Sequence, residues 1–417
     1  MSTPPTQIIF HLDHPTRWSD LSNPVFIRGW AFVAEGQSVS KVRAKIDGKE
    51  IVGSVGFHRP DVPAAFPAAP DEFCGFQIAF YAPRGGFSLE LEAKSATSGW
   101  TLFWATEASG PRWRWPVALG GGVPAEILAG QLALVPEYPP KPISTPPPPN
   151  ATVEGELPRV SIVIPNLNQG AWLENAITGT EALDDETIEI LIQDGGSADG
   201  SIDILKKYHS RLTSWVSERD DGQADAIARG FEKTEGSPED IMAWINADDF
   251  HLPGAVKFVQ RYFAQNPDVD VVYGDRVLVD ETGREVGRWY LPAHDSEVLH
   301  LYDFVPQETL FWRRSIWEQV DGLDSNFQFA LDWDLLLRFQ AAGARIKHLP
   351  YFLGAFRLHS AQKSSAQIGA TGQVEMDRLR ERSLGRKPSP DELIHSPALI
   401  NYLRRSARRK LISRWLS

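Results

Sequence analysis

Cysteine is almost absent from this sequence. Cys74 is the single one in 417 residues, which excludes an internal disulfide framework and any zinc site built on cysteines. That scarcity fits a reducing compartment. No run of about 18 apolar residues occurs, so nothing reads as a membrane span. The opening stretch, MSTPPTQIIFHLDHPTRW, has no basic segment leading into an apolar core. No secretory leader is therefore expected, and a cytoplasmic location follows as an expectation. Positive charge is scarce as well: the net charge is −12. Six cations, Arg404, Arg405, Arg408, Arg409, Lys410 and Arg414, crowd the last twenty residues without an acid. Removing them leaves −18 for the remainder. So acidic a body argues against general nucleic-acid binding.

Against these absences, the stretch Ile241 to Asp249, IMAWINADD, stands out. A short apolar run, the signature of a buried parallel strand, ends in two adjacent carboxylates. Ligands of open α/β sheets bind beyond the carboxyl ends of strands. Asp248 and Asp249 fixed side by side repel unless a cation joins them. Mg²⁺ typically bridges one or two carboxylates to substrate phosphates. The plain alternative is an acidic first turn for the helix after Pro253 and Gly254.

Residues 1–115 read as a β-sandwich. Short runs such as Val25–Ile27, Val42–Ile46, Phe76–Phe80 and Phe87–Leu91 are separated by turns at Asp47-Gly48 and Gly85-Gly86. Trp30, Trp100, Trp104, Trp113 and Trp115 are expected to fill the core and interdomain contacts rather than bind glycans, because aromatics dominate cores. Residues 116–158 read as a proline-rich, semi-rigid linker with a short helix over Pro124 to Leu134. A proline-recognition ligand is the alternative there.

From Val160 the rhythm is strand–helix–strand, which predicts a sheet covered on both faces. Strands are expected at Val160–Pro165, Ile188–Gln193, Leu212–Ser217, Ile241–Asn246, Val269–Tyr273 and Glu308–Trp312, with a hairpin turning at Glu281-Thr282-Gly283. Helices are expected at Trp172–Leu183, Ile202–His209, Asp225–Phe231, Ser315–Val320 and Leu335–Ala342. Polar clusters follow four strands: Asn166 to Gly170, Asp194 to Ser201, Glu218 to Asp225, and Asp248-Asp249. Asp194 could accept a hydrogen bond from a base or ribose. Asp199 and Ser201 suit a helix cap.

These clusters carry a family resemblance. VSIVIPNLNQGAWLENAI, IEILIQDGGSADGSIDIL, SERDDGQADAIARGF and WINADDFHLPGAV resemble a family 2 glycosyltransferase of GT-A fold. The resemblance continues through FVPQETLFWRRSIWEQVDGLD, LDWDLLLRF and FRLHSAQKS, and spans residues 159–365. The N-terminal part resembles an accessory sandwich attached to some bacterial glycosyltransferases, through Gly29-Trp30, Gly56 to Val62 and Gly75-Phe76.

The resemblance implies inverting transfer of a sugar from a nucleotide-diphosphate donor to a glycan or lipid-linked acceptor, in surface polysaccharide or glycoconjugate synthesis. It implies a divalent cation, Mn²⁺ or Mg²⁺. Asp332 matches the catalytic base, and Asp334 would cap or orient the following helix. Asp249 and His359 match the metal side. Asp194 matches a base-recognising aspartate and Asp248 a ribose contact. Pro165, Asn166, Asn168, Gly195, Asp220, Gln223, Asp225 and Asn246 complete the nucleotide-sugar set. Gln307, Glu308 and Trp333 line the acceptor side. Leu331 replaces an acid common in relatives, and Ala228 an asparagine.

Two competing readings exist. A non-catalytic sugar-nucleotide or glycan-binding protein would favour loss of Asp248, Asp249 or Asp332, yet all are present. A nucleotidyltransferase would want a glycine-rich, basic phosphate loop after the first strand, and Asn166 to Gly170 is not one. Residues 366–417 read as a helical extension. Leu399, Leu403, Ala407, Leu411 and Trp415 form a stripe with the arginines off it, an amphipathic basic helix. Such a helix either lies on an anionic membrane surface or docks on the catalytic domain.

Overall fold

A computed structural model describes residues 7–19, 21, 25–34, 36–57, 59–110, 132–149, 153, 155–180, 185–359, 362 and 371–416. The chain divides into two compact units: Met1–Tyr138 with Leu358–Arg378, and Pro139–Arg357 with Leu379–Ser417.

The first unit is antiparallel β: β1 (Ile8–His14), β2 (Val25–Val33), β3 (Gln37–Ile46), β4 (Lys49–Phe57), β5 (Gly75–Phe80), β6 (Gly86–Ser95) and β7 (Thr101–Ser109). Hydrogen bonding links them in the order β1-β2-β5-β4-β3-β6-β7. Asp47 and Gly48 both take positive φ, 47° and 80°, as a two-residue hairpin turn requires. Ile27, Phe76, Ile78 and Phe80 share one buried cluster with Val42, Ala44, Leu89 and Leu91. Period-2 alternation put each set on one face.

The motif glycines of this unit are architectural. Across β2 and β5, Gly29 lies opposite Phe76 and Trp30 opposite Gly75. A Cβ on Gly29 would sit 2.1 Å from the His11 carbonyl oxygen. Arg59 donates to Asp61 at 2.9 and 2.8 Å and to Asp13 at 2.5 Å. Trp30 is buried. Trp104 packs on the core beside Trp18, and Trp100 lies under the Arg43 guanidinium at 4.1 Å. His58, Trp113, Trp115 and all but the end of the expected Pro124–Leu134 helix lie outside the described residues.

The second unit holds β8 (Val160–Asn166), β9 (Ile188–Asp194), β10 (Ser214–Ser217), β11 (Ile241–Trp244), β12 (Phe250–His251), β13 (Val271–Val279), β14 (Glu285–Trp289), β15 (Phe311–Arg313) and β16 (Ile346–Arg357). The order is β10-β9-β8-β11-β15-β13-β16-β12, with β14 on β13. β10, β9, β8 and β11 pair in parallel, while β15 runs antiparallel to both neighbours. The sheet is the mixed α/β sheet the resemblance implies. Every residue of β8 and β9 is buried, which is why they read as unbroken apolar runs. Helix Gln223–Glu232 presses on β8: a Cβ on Gly230 would lie 2.5 Å from Val163 Cγ1.

Several expectations need correction. The expected strand Glu308–Trp312 is a 3₁₀ turn, Gln307–Thr309, followed by β15. Helix Leu331–Ala341 starts four residues early, with Ala330 as its N-cap. The proline-rich stretch is no free spacer from Pro139 onward. Lys141 pairs with the edge strand at Glu285 through two backbone hydrogen bonds, 3.0 and 2.8 Å. Ile143 packs on Leu252, Val277, Val279 and Ala355. Segment Leu358–Arg378 groups with the first unit, not with the catalytic domain.

The basic helix, Pro397–Leu416, docks on the second unit. Tyr402, Leu403 and Ala407 are buried, and Ser406 Oγ donates to the Tyr290 carbonyl at 2.7 Å. Arg405 reaches Asp295 at 2.5 Å, and Arg409 grips the buried Asp275 with both Nη atoms at 2.9 and 3.0 Å. Leu403 and Ala407 of the apolar stripe are thus buried, as the docked alternative expects, while Ile412 is 52% exposed. Among the described residues no helix is long and apolar enough to cross a membrane.

Candidate active site

The parallel strands bring their carboxyl ends side by side. Asn166 pairs with Asp194, and Asp194 with Ser217. Ile245 donates to the Val163 carbonyl at 3.0 Å. The polar cluster after each strand therefore falls on one edge of the sheet.

Asp194 does not face that edge. It is fully buried and accepts five hydrogen bonds. Asn166 Nδ2 (2.5 Å) and Ser197 Oγ (2.6 Å) donate to Oδ1. Ser217 Oγ (2.6 Å) and the amides of Ser197 (2.9 Å) and Gly196 (3.1 Å) donate to Oδ2. Burial pushes this carboxyl up, but the hydrogen bonds from Ser197, Ser217 and Asn166 outweigh it and hold it below the usual carboxylate range. It ties three strand ends together. Asn168 is used similarly, accepting from the Ala198 amide at 2.9 Å. Pro165 is buried inside β8. Asp199 accepts from the Gly170 amide at 2.8 Å and the Ser201 amide at 3.1 Å, but Gly200, not Asp199 or Ser201, is the N-cap of the helix Ser201–Tyr208.

The outward carboxylate here is Asp220. A Cβ on Gly195 would lie 2.8 Å from Asp220 Oδ2, so Asp220 fills the space a side chain at 195 would take. Gln223 Nε2 donates to Asn246 Oδ1 at 2.6 Å, joining the third and fourth clusters. Asp225 accepts from the Asp221 amide at 3.0 Å and pairs with Arg229 at 2.7 Å. The Oδ1 of Asn166 is buried without a protein partner among the described residues.

At the end of β11, Asp248 is half-buried and Asp249 is 2% exposed. Arg357, closing β16, fixes both. Its amide donates to Asp249 Oδ1 at 2.9 Å and its Nε to the Asp248 carbonyl at 2.8 Å. Its Nη1 reaches the Glu281 carbonyl of the β13–β14 turn at 3.0 Å, and the guanidinium sits near Trp172 and Phe250. Burial first, then the Asp248 and Glu308 charges, push Asp249 well above the usual carboxylate range. A bound divalent cation would reverse that, so this pair fits a cation shared with a diphosphate. Among the described residues no group of three or more His, Cys, Asp and Glu surrounds a metal position. His359 lies in the segment that groups with the first unit, where its amide donates to Gln362 Oε1 at 2.9 Å.

On the expected acceptor side, Glu308 and Trp333 are both buried. Glu308 is fully buried and forms a bidentate pair with Arg276, 2.7 and 2.6 Å. Arg276 lies between Trp289 and Phe356, each 4.4 Å from its guanidinium carbon. Trp333 is buried and donates to the Leu299 carbonyl at 2.7 Å. Gln307 Nε2 donates to the Trp244 carbonyl at 2.8 Å, while its Oε1 is buried and unpartnered among the described residues.

Asp332 sits in the first turn of helix Leu331–Ala341, half-buried, with Oδ1 accepting the Trp333 amide at 2.9 Å. Asp334 is fully buried and held by Arg338 at 2.8 Å and Arg382 at 2.6 Å. Sequence reading missed Asp303. Its carboxyl is pushed well above the usual range, by burial and then by the neighbouring Asp332 charge, with Arg276 opposing. The charge of the buried Arg276 acts on Asp249 as well.

Parts of this chain are similar to known proteins. Residues 161–317 match the family model of glycosyl transferase family 2. An uncharacterized glycosyltransferase of Nostoc sp. is 24% identical over 234 residues, covering 52% of this chain and 70% of its own. A PGL/p-HBAD biosynthesis glycosyltransferase of Mycobacterium tuberculosis is 25% identical over 185 residues, 43% of this chain and 69% of its own. The O-antigen biosynthesis protein RfbC of Myxococcus xanthus is 27% identical over 217 residues, 51% of this chain and only 17% of its own length. Among solved structures, S. aureus TarS 1-349 with UDP-GlcNAc aligns at a TM-score of 0.45 and 17% identity, over 59% of this chain and 72% of that one. Mannosyltransferase PcManGT of Pyrobaculum calidifontis, with GDP-Man and Mn²⁺, aligns at 0.42 and 15%, over 70% and 82%. Residues 161–317 thus carry the sequence pattern of glycosyl transferase family 2.

Proposed function

We propose that the chain is an inverting, metal-dependent glycosyltransferase. It moves a sugar from a nucleotide-diphosphate donor to an acceptor hydroxyl, in surface polysaccharide or glycoconjugate synthesis. One observation carries the reading: an acid pair after β11, half-buried Asp248 and buried Asp249, with a separate half-buried carboxylate, Asp332, on another element.

Asp220, not Asp194, is the carboxylate to accept a hydrogen bond from the donor base. Asn166 Oδ1 and the Gln223–Asn246 pair offer further polar contacts on the nucleotide side. Asp248 and Asp249 would hold a divalent cation, Mn²⁺ or Mg²⁺, which neutralises charge on a departing diphosphate. Asp332 takes the acceptor hydroxyl proton as the new bond to the sugar anomeric carbon forms. The bond from that carbon to the diphosphate oxygen breaks on the opposite face, so configuration inverts. A carboxylate in this role contributes about 10²- to 10⁴-fold.

A donor panel including UDP-GlcNAc and GDP-mannose, with and without Mn²⁺, tests this by hydrolysis and thermal stabilisation. Turnover should need the cation and disappear in Asp249→Asn. Neither stabilisation nor turnover with any donor would reject the reading.

A further inference from the structure

The proposed mechanism uses Asp332 and leaves Asp303 without a task. Asp303 lies between the short helix Ser296–Leu299 and the 3₁₀ turn Gln307–Thr309. Two contacts bring this loop to the start of helix Leu331–Ala341. Trp333 Nε1 donates to the Leu299 carbonyl at 2.7 Å. Arg380 Nε donates to the Leu301 carbonyl at 3.0 Å while its guanidinium lies 5.3 Å from the Trp333 ring centre. The Asp303 carboxyl thereby stands close enough to Asp332 for the two charges to interact. Its Oδ1 is buried and has no protein partner among the described residues.

We propose that Asp303 is a second acceptor-side residue, whose carboxyl hydrogen-bonds the incoming acceptor and turns its reacting hydroxyl toward Asp332. This rests on the transferase reading above. A buried carboxyl oxygen left without a donor is costly, and an acceptor hydroxyl supplies that donor. Two neighbouring carboxyls do not both ionise cheaply, and the more buried one holds the proton. Both residues are partly buried, and the Asp303 Oδ1 is shielded from solvent. The pair therefore divides the work: Asp303 remains a neutral hydrogen-bonding group, and Asp332 remains the ionised base. The segment that leads to Asp303 is held at Leu299 by Trp333, the residue after the base.

The test uses the full chain with Mn²⁺ and the donor of highest turnover. Hydrolysis, with water as acceptor, is read beside transfer to a panel of p-nitrophenyl glycosides. Asp303→Ala should raise the acceptor KM about tenfold, the loss of one buried hydrogen bond, with donor KM and hydrolysis unchanged. Asp303→Asn keeps a neutral hydrogen-bonding group, so it should restore most of the acceptor KM and leave the acid limb of the pH profile in place. An unchanged acceptor KM in Asp303→Ala overturns the proposal. So does a parallel rise in donor KM with a fall in hydrolysis, which marks a merely structural role. A shifted acid limb in Asp303→Asn also overturns it, because Asp303 would then be ionised. A wild-type chain that neither hydrolyses nor transfers any donor refutes the transferase reading instead.

Discussion

His251 follows the acid pair by two residues and is 1% exposed. Its ring stacks on Phe311 at 5.2 Å, and neither ring nitrogen has a partner among the described residues. Burial alone drops its pKa from 6.5 to about 3. The folded state therefore holds a neutral ring where the unfolded chain takes a proton below pH 6.5. Stability linked to this group is complete above pH 6.5 and falls as pH drops toward 3. At pH 5 the difference is roughly 1.5 pH units, or about 2 kcal/mol at ~1.4 kcal/mol per unit. At the acid limit it reaches about 5 kcal/mol. His251→Leu keeps an apolar side chain on Phe311 and removes the titration. Urea unfolding at pH 7 and pH 5 measures the effect. Wild type should lose about 2 kcal/mol more than His251→Leu between those values. Equal losses would refute the reasoning, because the ring would then have to be protonated or solvated in the folded chain.

Two further outcomes follow from buried charge. Glu308→Gln leaves the Arg276 guanidinium, buried between Trp289 and Phe356, without its counter-ion. It should destabilise the chain by about 3–5 kcal/mol in denaturant unfolding, with the double variant Arg276→Met, Glu308→Met recovering much of that. Arg409→Ala strips the buried Asp275 of two hydrogen bonds. The melting temperature should fall, and limited proteolysis should cut within 397–416 before any other described helix, since this residue clasps the helix to the second unit.

How much of this was legible depends on what each residue meets. Wholly buried β8 and β9 could be read directly, since burial on both faces leaves no polar interruption. β16 escaped because Pro350 and Gly354 break its pattern. Its pairing with β13 skips from Tyr273–His348 to Asp275–Phe352, and Pro350 sits in that irregularity, where a missing amide is tolerated. Asp194 was recognisable as a strand-end acid. Its burial was not, because the donors that fill it, Asn166, Ser197 and Ser217, come from three segments. Asp303 offered no motif at all; only the packing of Trp333 on Leu299 places it beside Asp332. The apolar stripe of the last helix was plain in the sequence, but its partner was decided by Asp275 and Asp295, more than a hundred residues away.

The most direct measurement is the comparison of wild type with Asp332→Asn, using one donor and Mn²⁺. Donor affinity is read by calorimetry and sugar transfer by product formation. Asparagine keeps the size and the Trp333 amide contact but cannot take a proton. Affinity should hold while transfer falls about 10²- to 10⁴-fold. Undiminished transfer in the variant would contradict the account at its centre.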